Sequence, residues 1–139
     1  FSSDFIVGFP GESDNDFDET IDLIKKVKFA SSFSFKYSPR PGTPAALNEK
    51  QVSEEKANLR LKIIQKILND QQKYFNESFI DKEVEVLFTE RGKKSNQFVG
   101  RTQHLQPVHV FSNTSLLGNL QKVKIQKLTS FSFHGILKD

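Results

Sequence analysis

Cysteine is absent from the 139 residues, which removes disulfides, thiolate metal sites, iron–sulfur ligation and cysteine nucleophiles from what this chain itself can do. Methionine is absent too, even at position one. Because an apolar stretch, Phe5-Ile6-Val7, opens almost at once, the sequence reads as a segment of a longer polypeptide whose upstream portion is missing. No apolar run approaches the roughly 20 residues that a membrane-spanning helix needs, and the first residues lack the basic segment and apolar core of a secretory signal. A soluble cytoplasmic protein with no membrane association is the expectation. With 36% hydrophobic and 27% charged residues, the chain is too apolar to stay disordered and should fold.

Charge is modest in sum and uneven in placement. The net charge is +3. Residues 1–77 carry 11 basic and 12 acidic side chains, whereas residues 78–139 carry 9 and 5, so an anionic partner is expected to meet the second half.

The first half has the pattern of a βαβ unit. Asp4 to Val7 reads as a short buried strand, ended by the Gly8-Phe9-Pro10-Gly11 turn. Ser13 is a good N-cap with Asp16 three residues on, and Phe17, Ile21, Ile24 and Val27 then recur at helical spacing. Phe33, Phe35 and Tyr37 alternate with polar residues as a second strand, parallel to the first by the usual crossover. Two parallel strands leave faces and edges uncovered, which predicts partner strands upstream of Phe1. A longer helix is expected from Ser53 to about Phe75, with Leu59, Ile63 and Ile67 on one stripe and Leu61, Ile64 and Leu68 beside it. Its polar far end, Asn69 to Lys73, reads as a solvated bridge between domains.

After Ser78 the period changes from helical to alternating. Val84 to Phe88, Phe98 to Thr102, Val108 to Phe111, Val123 to Leu128 and Phe131 to Leu137 read as five short strands separated by loops containing Gly92, Asn96, Asn113 and Gly118. Five such strands in about 60 residues suggest a small closed barrel of the oligonucleotide-binding kind, since closure removes exposed edges.

Several groups could carry chemistry. The turn from Gly8 to Glu12 sits where a parallel strand passes into a helix, the end of an α/β sheet where backbone donors meet ligands, although such a turn also serves plain geometry. Ser38 to Pro44, with three prolines and a glycine, is a stiff loop that presents Arg40, a residue able to grip a phosphate or carboxylate bidentately. Arg91, Lys93 and Lys94 share a predicted loop, while Arg101, Lys122, Lys124 and Lys127 occupy strand positions that could share one barrel surface and neutralise phosphates. Phe98 could stack on a base but more readily fills the core, and His104 could add stacking. His104, His109 and His134 match no metal spacing and read as structural or surface residues. The carboxylates from Asp14 to Asp22 read as a solvated helix face, and no Ser/His/Asp arrangement or phosphate loop occurs.

Two stretches carry a specific resemblance. Asp4-Phe5-Ile6-Val7-Gly8-Phe9-Pro10-Gly11-Glu12 and Phe33-Ser34-Phe35-Lys36-Tyr37-Ser38-Pro39-Arg40-Pro41-Gly42-Thr43-Pro44-Ala45-Ala46 closely resemble the radical S-adenosylmethionine methylthiotransferases. Gln97-Phe98-Val99-Gly100-Arg101-Thr102 and Gln106-Pro107-Val108-His109-Val110 resemble the TRAM domain that ends these enzymes. Within the family, Ser34 to Pro41 is most similar to the MiaB-type branch. The ribosomal-protein-modifying relatives usually have acidic residues where Arg40-Pro41 stand, and the threonylcarbamoyladenosine-type branch is an alternative.

The resemblance implies an α/β plus β chain. Residues 1–76 would be the C-terminal portion of a radical S-adenosylmethionine partial (β/α) barrel with its last long helix. Residues 77–139 would be a five-stranded, OB-like TRAM barrel. It implies that the full-length parent is a transferase adding a methylthio group to C2 of N6-isopentenyladenosine next to the tRNA anticodon. That parent would use S-adenosylmethionine and two 4Fe-4S clusters. The cluster ligands are absent from this chain, so the fragment alone is expected to be inactive and to hold neither a catalytic residue nor a metal ligand. Carried over by position, Ile6, Val7, Gly8, Phe9, Pro10, Gly11 and Glu12, with Tyr37 and Ser38, would lie on the cofactor side. Arg40, Pro41, Gly42 and Thr43 would border the substrate, and Arg91, Lys93, Lys94, Arg101 and Lys122 would hold the tRNA anticodon stem-loop. A monomer is expected. The competing reading is a non-enzymatic, standalone RNA-binding protein.

Overall fold

Strand alternation organises the first element, β1 (Ser2–Val7), in which Phe5 and Val7 point to one side and Asp4 and Ile6 to the other. In the computed structural model, which describes residues 1–29, 31–129 and 132–138, the chain divides into two compact units, Phe1–Tyr74 and Phe75–Asp139. In the first unit β1 pairs in parallel with β2 (Ser31–Lys36), Ile6 lying beside Phe35 and Asp4 beside Phe33. The connecting helix α1 (Asp14–Val27) starts as its sequence predicts. The Ser13 hydroxyl accepts from the Asp16 amide at 3.0 Å, and the Asp16 carboxylate accepts from the Ser13 amide at 2.9 Å. A cap of this kind stabilises a helix by about 1 kcal/mol.

Phe5 and Val7 bury against Phe17 and Ile24 of α1, Phe29, and Ile64 and Leu68 of the second helix, α2 (Glu54–Glu77). The opposite sheet face is open, with Ile6, Phe33 and Phe35 more than half exposed. The alternation of Phe33 and Phe35 does mark a strand, yet its aromatic side is the uncovered one.

The α2 stripe differs from the sequence expectation. Ala57, Arg60, Ile64 and Leu68 are the buried positions, with Leu61 and Ile67 packed alongside, while Leu59 and Ile63 are exposed. Apolar spacing alone could not choose between two adjacent stripes, because the decisive residue, Arg60, is charged. Nor is the far end wholly solvated, since the Gln71 side chain donates to the Ile24 carbonyl at 2.8 Å.

The second unit is a closed barrel of β3 (Glu83–Arg91), β4 (Gln97–Arg101), β5 (Pro107–Phe111), β6 (Leu120–Leu128) and β7 (Phe133–Leu137), ordered β3-β4-β5-β7-β6 and closed by β3 pairing with β6. Pairing is antiparallel except between β5 and β7. The predicted fifth strand begins at Phe133, and Phe131 lies outside the described residues. Val86, Phe88, Phe98, Val108, Val110, Leu116, Val123, Ile125 and Phe133 fill the interior. Phe98, at 3% exposure, is therefore a core residue and offers no stacking surface. Register shifts between Phe88 and Glu90 and between Ile125 and Lys127 bend β3 and β6 as closure requires. No helix among the described residues is long and apolar enough to cross a membrane.

Candidate functional site

Two tight turns of like sequence shape the first unit's surface. In Phe9-Pro10-Gly11-Glu12 the Glu12 amide donates to the Phe9 carbonyl at 2.9 Å, and in Arg40-Pro41-Gly42-Thr43 the Thr43 amide donates to the Arg40 carbonyl at 3.2 Å. Each has proline second and a positive-φ glycine third, +87° at Gly11 and +83° at Gly42, the residue order that a type II turn demands. The Thr43 hydroxyl fastens the second turn by donating to the Arg40 carbonyl at 2.7 Å.

The two turns meet at one concavity. Ile6, Phe9, Tyr37, Ser38, Arg40 and Thr43 line a hollow of about 400 Å³ together with Phe35, Lys36 and Ala45. Phe9 and Tyr37 contact edge to face at 5.1 Å. The Tyr37 hydroxyl is buried without a hydrogen-bond partner. Of the other predicted residues, Val7 is a fully buried core residue, Pro10 is buried, and Pro41 and Gly42 sit exposed at the turn. Gly11 and Glu12 border a separate hollow with Lys50, Gln51, Val52, Ser53 and Lys56.

Glu12 has an internal task. Its carboxylate accepts from the Gly8 amide at 3.0 Å and from the Arg60 guanidinium at 2.6 Å, closing the turn onto α2. Arg60 also donates to the Glu12 carbonyl and the Asp14 carboxylate, and its guanidinium lies 5.5 Å from the centre of the Phe17 ring. Only 4% of the Arg60 side chain is exposed. Burial works against its charge, but the hydrogen bonds to Asp14 and Glu12 outweigh it and raise its pKa further. The Asp14 carboxyl is held below its ordinary range first by its hydrogen bond to Arg60 and then by the charge of Lys56. The acidic run from Asp14 to Asp22 is exposed, as its sequence suggests, and Asp14 and Asp16 each also hold a partner at the helix start. Arg60 is the residue that sequence reasoning missed. The signal was present: an arginine in step with Ala57, Ile64 and Leu68 on a buried stripe requires acidic partners.

Gly8 is required at its position, because φ is +75° and an added Cβ would stand 2.7 Å from Ala57 Cβ. Gly8→Ala is expected to cost about 2–4 kcal/mol, from left-handed strain and overlap together. A urea melt showing a loss under 1 kcal/mol would contradict this close packing of turn on helix.

In the barrel unit the predicted basic residues separate into two groups. Arg91 ends β3, with its guanidinium 5.3 Å from the Phe98 ring centre, and Lys93 and Lys94 follow in the exposed turn. Buried Gln97 shapes that turn by accepting from the Lys94 amide, while the Gly92 amide donates to its carbonyl. Arg101 stands at the other end of β4, roughly 13 Å along the strand, and donates to the Leu105 carbonyl. Lys122 and Lys124 lie opposite Glu85 and Glu83 in the β3–β6 register, and Glu83 also pairs with Lys138. The hydrogen bond from Lys138 comes first in depressing the Glu83 pKa, with smaller help from the charges of Lys138, Lys122 and Lys124. Arg101 lies opposite Leu87 on the same wall as Glu85 and Glu83, and these carboxylates partly offset the Lys122 and Lys124 charges. His104 packs edge-on against Phe75 at 5.3 Å.

Among the described residues no group of three or more His, Asp or Glu side chains could hold a metal ion. Residues 77–138 match the TRAM domain model. Across 135 residues, 96% of the chain, it is 50% identical to the tRNA-2-methylthio-N(6)-dimethylallyladenosine synthase of Rickettsia felis, and across 136 residues, 98% of the chain, 48% identical to the synthase of the same name from Maricaulis maris. The synthase of Rickettsia bellii is 50% identical over 96% of the chain. The chain spans 30% of the length of each of these relatives. The similarity runs through both units and takes in both proline–glycine turns, and residues 77–138 carry a TRAM domain.

Proposed function

We propose that this chain is the pocket-bordering and RNA-holding part of a tRNA methylthiotransferase, whose reaction adds a methylthio group to C2 of N6-isopentenyladenosine beside the anticodon. The observation that carries the reading is the convergence of Phe9, Tyr37, Arg40 and Thr43, from both turns, on one hollow in a chain about half identical to synthases named for that product. In this reading residues 1–76 belong to a partial (β/α) barrel, and the open face of Ile6, Phe33 and Phe35 is its interior side. Residues 77–139 form the RNA-binding domain.

The fit to the implied cofactors is unequal. S-adenosylmethionine has polar and apolar parts, and the hollow has both, with apolar walls from Ile6, Phe9 and Phe35, an unpartnered buried Tyr37 hydroxyl, and Arg40. Its volume lies in the range of small-molecule sites. Bound there, S-adenosylmethionine would supply the radical and methyl chemistry, while Phe9 and Tyr37 orient it and exclude water. The Gly8 amide and the Glu12 carboxylate act one step removed, holding the turn in shape. The iron–sulfur clusters do not fit this chain, which has no cysteine to ligate them.

RNA holding rests on the Arg91, Lys93 and Lys94 turn. Contacts to phosphates fix register without reading sequence, leaving base choice to the pocket. RNA affinity of the chain should fall steeply with salt, and replacing Arg91, Lys93 and Lys94 by alanine should reduce the logarithmic salt slope by roughly 2–3. An unchanged slope would place the RNA on another surface. Anaerobic reconstitution of the full-length gene product with iron, sulfide and S-adenosylmethionine, followed by nucleoside analysis of tRNA, tests the activity. Unaltered isopentenyladenosine in an otherwise active preparation would reject it.

A further inference from the structure

Two histidines on the barrel wall belong to neither pocket nor turn. His109 on β5 and His134 on β7 are register partners in the barrel's one parallel pair, and their rings stack with centroids 5.0 Å apart and planes 18° from parallel. Val108, Val110 and Phe133 beside them point into the core, so both rings lie on the outer side. The next strand continues the row, since the β6 register shift brings Lys127 opposite His134. The charge of Lys94, in the β3–β4 turn, makes the smallest contribution to lowering the His134 pKa. Both lysines are exposed, and among the described residues neither has a carboxylate partner, unlike Lys138 and its neighbours at Glu83. The Nδ1 of His109 is buried without a hydrogen-bond partner.

This arrangement suits an anion. One face of each ring is covered by the other and Lys127 is the register neighbour of His134, so imidazole N–H groups and an ammonium lie on one stretch of wall, a donor set for charge-assisted hydrogen bonds to phosphate oxygens. Resting on the RNA-binding reading above, we infer that His109, His134, Lys94 and Lys127 form a phosphate site for an RNA backbone, whose occupancy is linked to proton uptake at His134. Without ligand the His134 pKa lies below its ordinary value, first through burial and then through the like charges of His109, Lys127 and Lys94. Among the described residues, the cross-strand row through the pair runs from Lys127 on β6 to the apolar Val99 on β4 opposite His109, with Glu90 of β3 beyond Val99. A bound phosphodiester cancels part of that repulsion and raises the pKa. By reciprocity RNA then binds more tightly as pH falls through the interval between the free and bound values.

The test measures binding of a fluorescent 17-nucleotide RNA hairpin to the whole 139-residue chain at pH 7.5 and 5.5 and constant ionic strength. Affinity should rise about five- to tenfold at the lower pH. His134→Gln should lose the rise between pH 7.5 and pH 5.5, with its melting temperature kept. A rise that persists undiminished in both His134→Gln and His109→Gln overturns the inference while leaving RNA binding intact. If the histidine variants do not fold, Lys94→Ala/Lys127→Ala decides: it should weaken pH 5.5 binding at least fivefold more than the charge-matched Lys25→Ala/Lys26→Ala, and equal effects overturn the site. The His134 ring C2–H resonance gives a second reading. Its titration midpoint should move up with the hairpin, and a shift with inorganic phosphate but none with the hairpin would make the site one for free phosphate and overturn the RNA assignment. Absence of hairpin binding to the unaltered chain at either pH removes the RNA-binding reading and this inference together.

Discussion

Arg60→Met is expected to destabilise the first unit by about 3–5 kcal/mol, because it leaves the half-buried Glu12 carboxylate without its cation. The guanidinium is nearly sealed from solvent and donates to the Glu12 carboxylate and carbonyl and to Asp14. Methionine can match much of the side-chain volume over Phe17, so the loss isolates charge from packing. For a unit of this size the thermal midpoint should fall by roughly 15 °C or more. Changing the carboxylate as well, in Arg60→Met/Glu12→Gln, should recover part of the loss, because the uncompensated half-buried charge is gone. The acid limb supplies an independent check. The folded Asp14 pKa is depressed, so its stabilising pairing is complete above the ordinary carboxylate value and disappears as pH falls through the depressed one. Arg60→Met should flatten stability against pH in that acid window. A variant that melts within 3 °C of the unaltered chain would show that Arg60 does not clamp the turn.

Much of this architecture was legible because local rules and tertiary structure agree. Ser13 and Asp16 mark the start of α1 by chemistry confined to one helical turn, and the five alternating runs mark the barrel strands because a small barrel must send every second side chain inward. The proline–glycine turns were visible as turns. Their convergence on one hollow was not, since it depends on the parallel register that sets Ile6 beside Phe35. Arg60 was hidden for a different reason. Hydrophobic periodicity counts an arginine as surface, whereas three acceptors and the Phe17 ring make burial affordable. The histidine pair was hidden likewise: 25 residues separate His109 from His134 in sequence, and the cross-strand register alone makes them neighbours.

The two units combine different kinds of support. In the first, a charged network reaching from α2 fixes the Gly8 to Glu12 turn, so a pocket wall depends on an ion cluster that lies behind it. In the second, the basic turn stands on a buried amide, Gln97, and on Phe98 beneath Arg91. In both cases an exposed loop gains definite geometry from a polar or aromatic residue held rigid by the core. Substitutions beneath these loops should therefore alter binding by loosening a loop even where they touch no ligand.

Phe88→Ala should remove about 3–5 kcal/mol from the barrel unit, the range for an aromatic core side chain whose cavity cannot collapse. Phe88 is fully buried and sits just before the β3 register shift. Its amide donates to the Asn119 carbonyl at 3.0 Å, and its carbonyl accepts from the Gly118 amide at 2.8 Å, so the same residue holds the turn leading into β6. A strand pinned on both sides cannot move inward to fill the void. Rigid neighbours reinforce this: an added Cβ on Gly100 would stand 2.5 Å from Val86 Cγ1 and 2.6 Å from the Leu87 carbonyl oxygen, so β3 and β4 are already as close as backbone allows. Phe111→Ala is the comparison, since that ring is 56% exposed and its loss should change stability by no more than about 0.5 kcal/mol. Urea unfolding of the two variants followed by barrel-specific amide resonances separates the cases. Equal small losses would mean that the barrel interior relaxes around Phe88, and that the closed ladder does not hold its shape against a cavity.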